Sequence, residues 1–195
     1  MQDPVIVLFG DSYTAGRVAG TNRDGAFAAA LGVCVRRDYA LSGSTAIDWS
    51  IDVGGRLTGV CQADASVAVG SLIGNDAIAA MADGQVTAGE ALNALVALAM
   101  VLYRIAREMP VLLMLYPDPY QGANRQAAEG VRRMNAAVTT VVQAVNGMAS
   151  SNGPVMALDL GRVLGPGHFD GADIHPNEAG YAAMAAAVKD TLARM

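Results

Sequence analysis

Val5-Ile6-Val7-Leu8-Phe9-Gly10-Asp11-Ser12 passes from five consecutive apolar residues to a glycine, an acid and a hydroxyl. An apolar run without alternation suits a strand covered on both faces. The glycine ends it, and the turn that follows presents Ser12 in the arrangement a serine nucleophile needs. One such turn also fits an ordinary strand end or a phosphate-holding loop, so its meaning depends on what else the chain brings to it. Ile174-His175-Pro176-Asn177, near the other end, supplies one of only two histidines. Histidine is the usual base for a serine, and the pair makes hydrolase the leading reading.

Working outward from that strand, short apolar runs recur at residues 33–35, 65–73, 111–116 and 155–158, giving five strands with residues 5–9. Helical stretches separate them at 25–31, 45–57, 88–107 and 125–145, and a last one covers 177–194. Thr87 with Glu90 three residues on reads as a capping box for the third helix, and Pro110 lies just past its end. Strand and helix therefore alternate throughout, which predicts a three-layer α/β/α sandwich with right-handed crossovers. In such a sheet the carboxyl ends of the strands gather along one edge, where ligands bind.

The chain has 195 residues, enough to bury a core without disulfides or metals, and no linker or repeat divides it. A single domain over residues 1–195 is the expectation. Hydrophobic residues make up 53% and aromatics 5%, so Ala, Val, Leu, Ile and Met build the core, which favours α/β over an all-β sandwich. A net charge of −5 without a basic stripe argues against nucleic acid as a partner. Cys34 and Cys61 have neither metal-ligand nor disulfide spacing and read as buried free thiols. The apolar region 91–116 is interrupted by Arg104, Arg107, Glu108 and Pro110, so it reads as a buried helix and strand in place of a membrane span of about 20 residues. The opening Met1-Gln2-Asp3-Pro4 lacks the pattern of a secretory signal, which predicts a cytoplasmic protein unless a leader has been removed. Oligomeric state is not legible.

Four features fall just after predicted strands: Ser12, Gly43, Asn75 and His175. Ser12 and His175 are 163 positions apart, yet a parallel sheet can bring both loops to one edge. Each feature also has a plain structural reading. Gly74-Asn75-Asp76 is a turn signal, and His175-Pro176-Asn177 is a helix start with Asn177 as N-cap. Together, in order, the chain resembles the SGNH/GDSL hydrolase family, through Gly10-Asp11-Ser12-Tyr13, Ser42-Gly43-Ser44, Gly74-Asn75-Asp76 and Ile174-His175-Pro176-Asn177. The resemblance spans nearly the whole chain. It implies a flavodoxin-like strand order 2-1-3-4-5 and hydrolysis of carboxylic esters or related acyl groups. It also implies an oxyanion hole made of the Ser12 and Gly43 backbone N–H groups and the Asn75 side-chain amide.

Two positions depart from the family pattern. Ile73 stands where the third block commonly has its first glycine, which narrows the acyl pocket or shifts the loop. Ala172 stands three residues before the histidine, where the orienting acid usually lies. Three repairs are open: Asp173 from a differently kinked loop, Asp170 from further back, or a backbone carbonyl supporting a serine-histidine dyad. Asp173 is the favoured assignment, because an orienting carboxylate fixes the imidazole tautomer and stabilises the imidazolium. Asp11 and Asp76 read as structural carboxylates bonded to loop amides. His168 reads as a plain loop residue.

Tyr13, Ile73, Trp49 and Tyr116, with Tyr120, are candidates for lining the substrate cleft, since they lie in or near loops after strands, while Trp49 and Tyr116 equally fit core packing. The leading reading is a serine esterase acting on a small or medium ester through an acyl-enzyme, with no cofactor and no metal. A thioesterase or acyltransferase would differ only in leaving group or acceptor. A non-catalytic small-molecule binding module would keep the fold and lack the reaction, and Ala172 in the acid position is what favours it.

Overall fold

The computed structural model describes residues 4–21, 23–77, 88–118, 125–148, 152–171 and 173–195. Thr87, Tyr120 and Ala172 lie outside the described residues. Five strands, β1 Ile6–Gly10, β2 Val35–Asp38, β3 Val67–Ser71, β4 Val111–Leu115 and β5 Val155–Asp159, form one sheet in the order β2-β1-β3-β4-β5. All pairings are parallel.

The helices cover both faces. A short α1, Ser12–Ala15, leads to α2, Ala26–Leu31, which packs against the C-terminal helix α7, Glu178–Leu192. The other face carries α3 Ala46–Ser50, α4 Arg56–Cys61, α5 Ala88–Ala106 and α6 Arg125–Asn146. The three strands that sit inside the sheet, β1, β3 and β4, are buried at every residue, as their unbroken apolar runs require.

The second strand begins later than its apolar signal. Gly32–Cys34 form a 3-10 turn, and the strand itself reads Val-Arg-Arg-Asp with its last three residues exposed. It is a sheet edge, so nothing forces it to be apolar, and its charges discourage pairing with another chain. The helix expected over 45–57 is two helices. Asp52 takes a left-handed conformation between them, and its carboxylate accepts from the Leu57 N–H at 2.8 Å, capping α4. Cys34 and Cys61 are free but half-buried, where full burial was expected.

Within α5, residues Gly89–Ala106 are long and apolar enough to cross a membrane by length and composition, contrary to the expectation from its arginines. Leu98, Val101, Leu102 and Ile105 of that stretch are fully buried in the core, while Leu92, Val96 and Met100 face outward.

The close approach of β1 to β3 explains Gly10. A Cβ there would lie 1.9 Å from the Ser71 carbonyl oxygen, and the residue has φ of 116°. Glycine thus ends the strand and lets Asp11 and Ser12 turn out at the carboxyl edge.

Candidate active site

Ser12 is the first residue of α1, and Asp11 is its N-cap, accepting from the Tyr13 N–H at 3.2 Å. The Ser12 N–H is therefore one of the donors that a helix start leaves without an internal partner. Ser12 Oγ lies 3.0 Å from His175 Nε2, although the two residues are 163 positions apart. The parallel sheet brings them to one edge, at the junction where the chain leaves β1 in one direction and β3 lies on the other side.

His175 sits in a loop closed at its ends by an antiparallel bridge between Phe169 and Pro176. Asp173 Oδ1 accepts from both the His175 backbone N–H, at 2.9 Å, and Nδ1 of its ring, at 2.8 Å. This is an Asx-type turn, in which a carboxylate bonds the amide two residues on. That local bond swings the carboxylate under the ring, so a two-residue spacing delivers an acid to the imidazole. The other oxygen accepts from the Gly20 N–H at 2.7 Å. Burial on its own pushes the Asp173 carboxyl up. The bonds from Gly20 and His175 outweigh it and hold the group at about 2, ionised at neutral pH. Asp170 is turned elsewhere, accepting from Asn177 Nδ2 at 2.9 Å.

The other loops are tied to this row by hydrogen bonds. The Leu41 N–H donates to the Gly10 carbonyl at 2.8 Å, and Ser44 Oγ donates to it at 3.1 Å. Between them Gly43 has φ of 84°, a left-handed conformation that favours glycine, and a Cβ there would meet nothing within 4 Å. Glycine is needed for the backbone torsion, and the space in front of it is open. Its N–H has no acceptor among the described residues. Asn75 Nδ2 donates to the Ser44 carbonyl at 2.9 Å, which uses one of the two N–H bonds of the amide and leaves one over. Asp76 accepts from the Ala46 N–H at 2.8 Å, so both conspicuous loop aspartates bond backbone amides.

Ile73 has φ of 98°, and it is buried. The loop holds a glycine-type torsion with a β-branched residue, at a cost of about 1–3 kcal/mol.

The four side chains expected to line the cleft are largely covered, with exposures of 4% for Tyr13 and Ile73, 2% for Trp49 and 7% for Tyr116. Tyr13 donates to the Ile174 carbonyl at 2.5 Å and so braces the histidine loop from beneath. Trp49 Nε1 donates to Ser44 Oγ at 3.0 Å and shares the wall of a cavity of about 280 Å³ with Leu41 and Gly43. Tyr116 lies at the margin of a larger cavity of about 490 Å³ over β4 and β5, beside Leu115 and Val131. Scarce aromatics near strand ends thus mark the floor of the site more than its open wall.

A buried polar network under Ser12 left no sequence signal. Ser71 Oγ donates to Asp11 Oδ1 at 2.9 Å, Thr14 Oγ1 lies 2.8 Å from Ser71 Oγ, and Tyr116 Oη bonds Asp11 Oδ2. Burial pushes the Asp11 carboxyl up to about 6, against the bonds from Tyr116, Ser71 and the loop amides that pull it down. Thr14 and Ser71 occupy buried positions that an apolar residue would ordinarily fill, and only the contact reveals why they are polar. His168 Nδ1 accepts from the Gly165 N–H at 2.9 Å, a local loop contact.

A parallel sheet of this order, with a serine and a histidine bonded at its carboxyl edge, defines an α/β/α protein of the SGNH type. The sequence matches the model of the GDSL-like lipase/acylhydrolase family over residues 8–183. The chain belongs to that family. Among solved structures it is similar to the lipase Lip_vut3 from a goat rumen metagenome, with 17% identity, a TM-score of 0.70 and coverage of 95% of both chains. It is also similar to Axe2, an acetylxylan esterase from Geobacillus stearothermophilus, at 16% identity and a TM-score of 0.68, covering 95% of this chain and 92% of that one. The salicylyl-acyltransferase SsfX3, from a tetracycline biosynthetic pathway, aligns with all of this chain and 55% of its own, at 18% identity and a TM-score of 0.65. No curated protein matches the sequence. At these identities the structural likeness speaks to the fold.

Proposed function

We propose that the protein is a serine esterase that hydrolyses small to medium carboxylic esters through a covalent acyl-enzyme. The observation that carries this reading is the 3.0 Å contact between Ser12 Oγ and His175 Nε2, with Asp173 on the far side of the ring at 2.8 Å. In this reading His175 takes the proton from Ser12 Oγ as the oxygen attacks the ester carbonyl. The imidazolium then gives that proton to the departing alcohol. Water enters, His175 deprotonates it, and its attack on the acyl group frees the acid and restores Ser12. Asp173, ionised at neutral pH, keeps the Nδ1 proton in place and stabilises the imidazolium. The negative oxygen that forms at each attack is held by the Ser12 and Gly43 N–H groups and the remaining Asn75 amide N–H.

Relatives by fold include an acetylxylan esterase and an acyltransferase, so acetylated carbohydrate and acyl acceptors other than water belong in the test. The experiment is steady-state turnover of a p-nitrophenyl ester series, an acetylated sugar and matching acyl thioesters. Saturable turnover of the short esters that disappears in Ser12→Ala is expected. Folded protein that turns over none of the panel rules the reading out, and a marked preference for thioesters replaces it with a thioesterase.

A further inference from the structure

At φ of 98° the Ile73 side chain crowds its own backbone, and glycine is the residue that takes this torsion without cost. Such a torsion persists only where the chain is held on both sides of it. On the near side β3 holds it. On the far side the Ile73 carbonyl accepts from the Ala77 N–H at 3.0 Å, and the Gly74 N–H donates to Tyr116 Oη at 3.1 Å. Beyond it come the bonds from Asn75 Nδ2 to the Ser44 carbonyl and from the Ala46 N–H to Asp76.

Tyr116 is itself fixed from three directions. Its hydroxyl bonds the buried Asp11. Its ring meets Tyr13 edge to face, with centroids 5.1 Å apart at 78°. The Asn135 side chain on α6 holds its backbone, accepting from the N–H at 3.2 Å and donating to the carbonyl at 2.7 Å. The contact with Gly74 is steric as well as polar, because a Cβ at Gly74 would lie 2.8 Å from the Tyr116 ring.

We propose that Tyr116 is a positioning residue: its hydroxyl, seated on Asp11, pins the Gly74 amide and so keeps the strained Ile73 turn in the shape that presents Asn75 to the acyl oxygen. The role given to Asn75 rests on the esterase reading, whereas the clamp on the turn does not. The strain makes the clamp necessary. A glycine at position 73 would take the same torsion without strain, so the value of Tyr116 depends on the identity of its neighbour in the third loop. A tyrosine acting through Asp11 on Ser12, or merely filling space, would have no such dependence.

The test is a double-mutant cycle of Tyr116→Phe and Ile73→Gly on p-nitrophenyl acetate, with crystal structures of the wild type and Tyr116→Phe. Tyr116→Phe is expected to lower kcat about 30-fold with KM within about twofold, a fraction of what losing an oxyanion donor costs. In the Ile73→Gly background the same change is expected to cost less than about threefold, the signature of coupled neighbours. Equal losses in both backgrounds overturn the proposal. In the Tyr116→Phe crystal, Ile73 is expected to leave positive φ and Asn75 to release the Ser44 carbonyl; retention of both overturns it too. Should Tyr116→Phe not fold, Gly74→Ala displaces the ring from the other side and is expected to give a similar loss of kcat, and wild-type kcat in that variant counts against the clamp. If the wild type cleaves no ester, the esterase reading fails while the crystal comparison still decides the clamp.

Discussion

Asp11 and Asp173 flank the same serine-histidine pair, and their carboxyls are driven in opposite directions. Asp11 lies in the floor, 1% exposed, and burial lifts it to about 6. Asp173 lies in a half-buried loop, and the amides of Gly20 and His175 with the imidazole hold it near 2. Both accept several hydrogen bonds, so bond number is not what separates them. The floor surrounds its carboxyl with hydroxyls and apolar side chains, whereas the loop offers a group that becomes cationic during the proposed reaction. One acid is thereby suited to building a scaffold and the other to stabilising charge that appears and disappears.

The most severe way to break this contrast is to remove the charge from the loop. Asp173→Asn is expected to lower kcat by about 10³- to 10⁴-fold in an ester assay, because the amide favours the wrong imidazole tautomer. Asp170→Asn, at a carboxylate that accepts from Asn177 in the helix cap, is expected to cost less than about tenfold. The opposite ranking would move the orienting role to Asp170.

Next in size is the loop that the floor supports. If Asn75 serves the proposed oxyanion hole, Asn75→Ala is expected to lower kcat about 100- to 1000-fold with little change in KM, the usual cost of losing one oxyanion donor. An Asn75→Ala enzyme within a few-fold of wild type would confine that side chain to its bond with Ser44.

The smallest effect concerns stability and sharpens the contrast by its sign. The folded-state value of Asp11 lies above its ordinary 3.8, so the folded chain binds that proton more tightly. Its stabilising share is complete below about pH 4 and is lost as pH rises through about 6. Asp173, held below 3.8, contributes above about pH 4 and loses that share as pH falls through about 2. Urea unfolding at pH 4.5 and 7.5 is expected to show wild type losing roughly 2 kcal/mol relative to Asp11→Asn across that interval. Parallel profiles for the two proteins would mean that Asp11 is not lifted.

The sheet and the pairing of Ser12 with His175 were legible because apolar runs and the residues that follow them obey strong local rules. β2 was legible only in part, since an edge strand needs no apolar run and Arg36 and Arg37 carry none. The break at Asp52 was hidden because a left-handed aspartate looks like any helix-surface residue until its carboxylate caps α4. At the site, the choice between Asp170 and Asp173 turned on a bond to the next-but-one amide, which spacing alone does not reveal. The link between Asp11 and Tyr116 joins residues 105 positions apart with no shared motif. Ile73 is the clearest limit: its residue type argues for negative φ, and only the surrounding restraints impose the reverse.

The central claim is that the histidine loop turns Ser12 into a nucleophile, and active-site labelling reads it directly. Folded protein treated with a fluorophosphonate, then digested and mapped by mass spectrometry, is predicted to carry one adduct, on Ser12, formed far more slowly in His175→Ala. An unlabelled Ser12 in folded protein, or labelling that is indifferent to His175, would contradict the account.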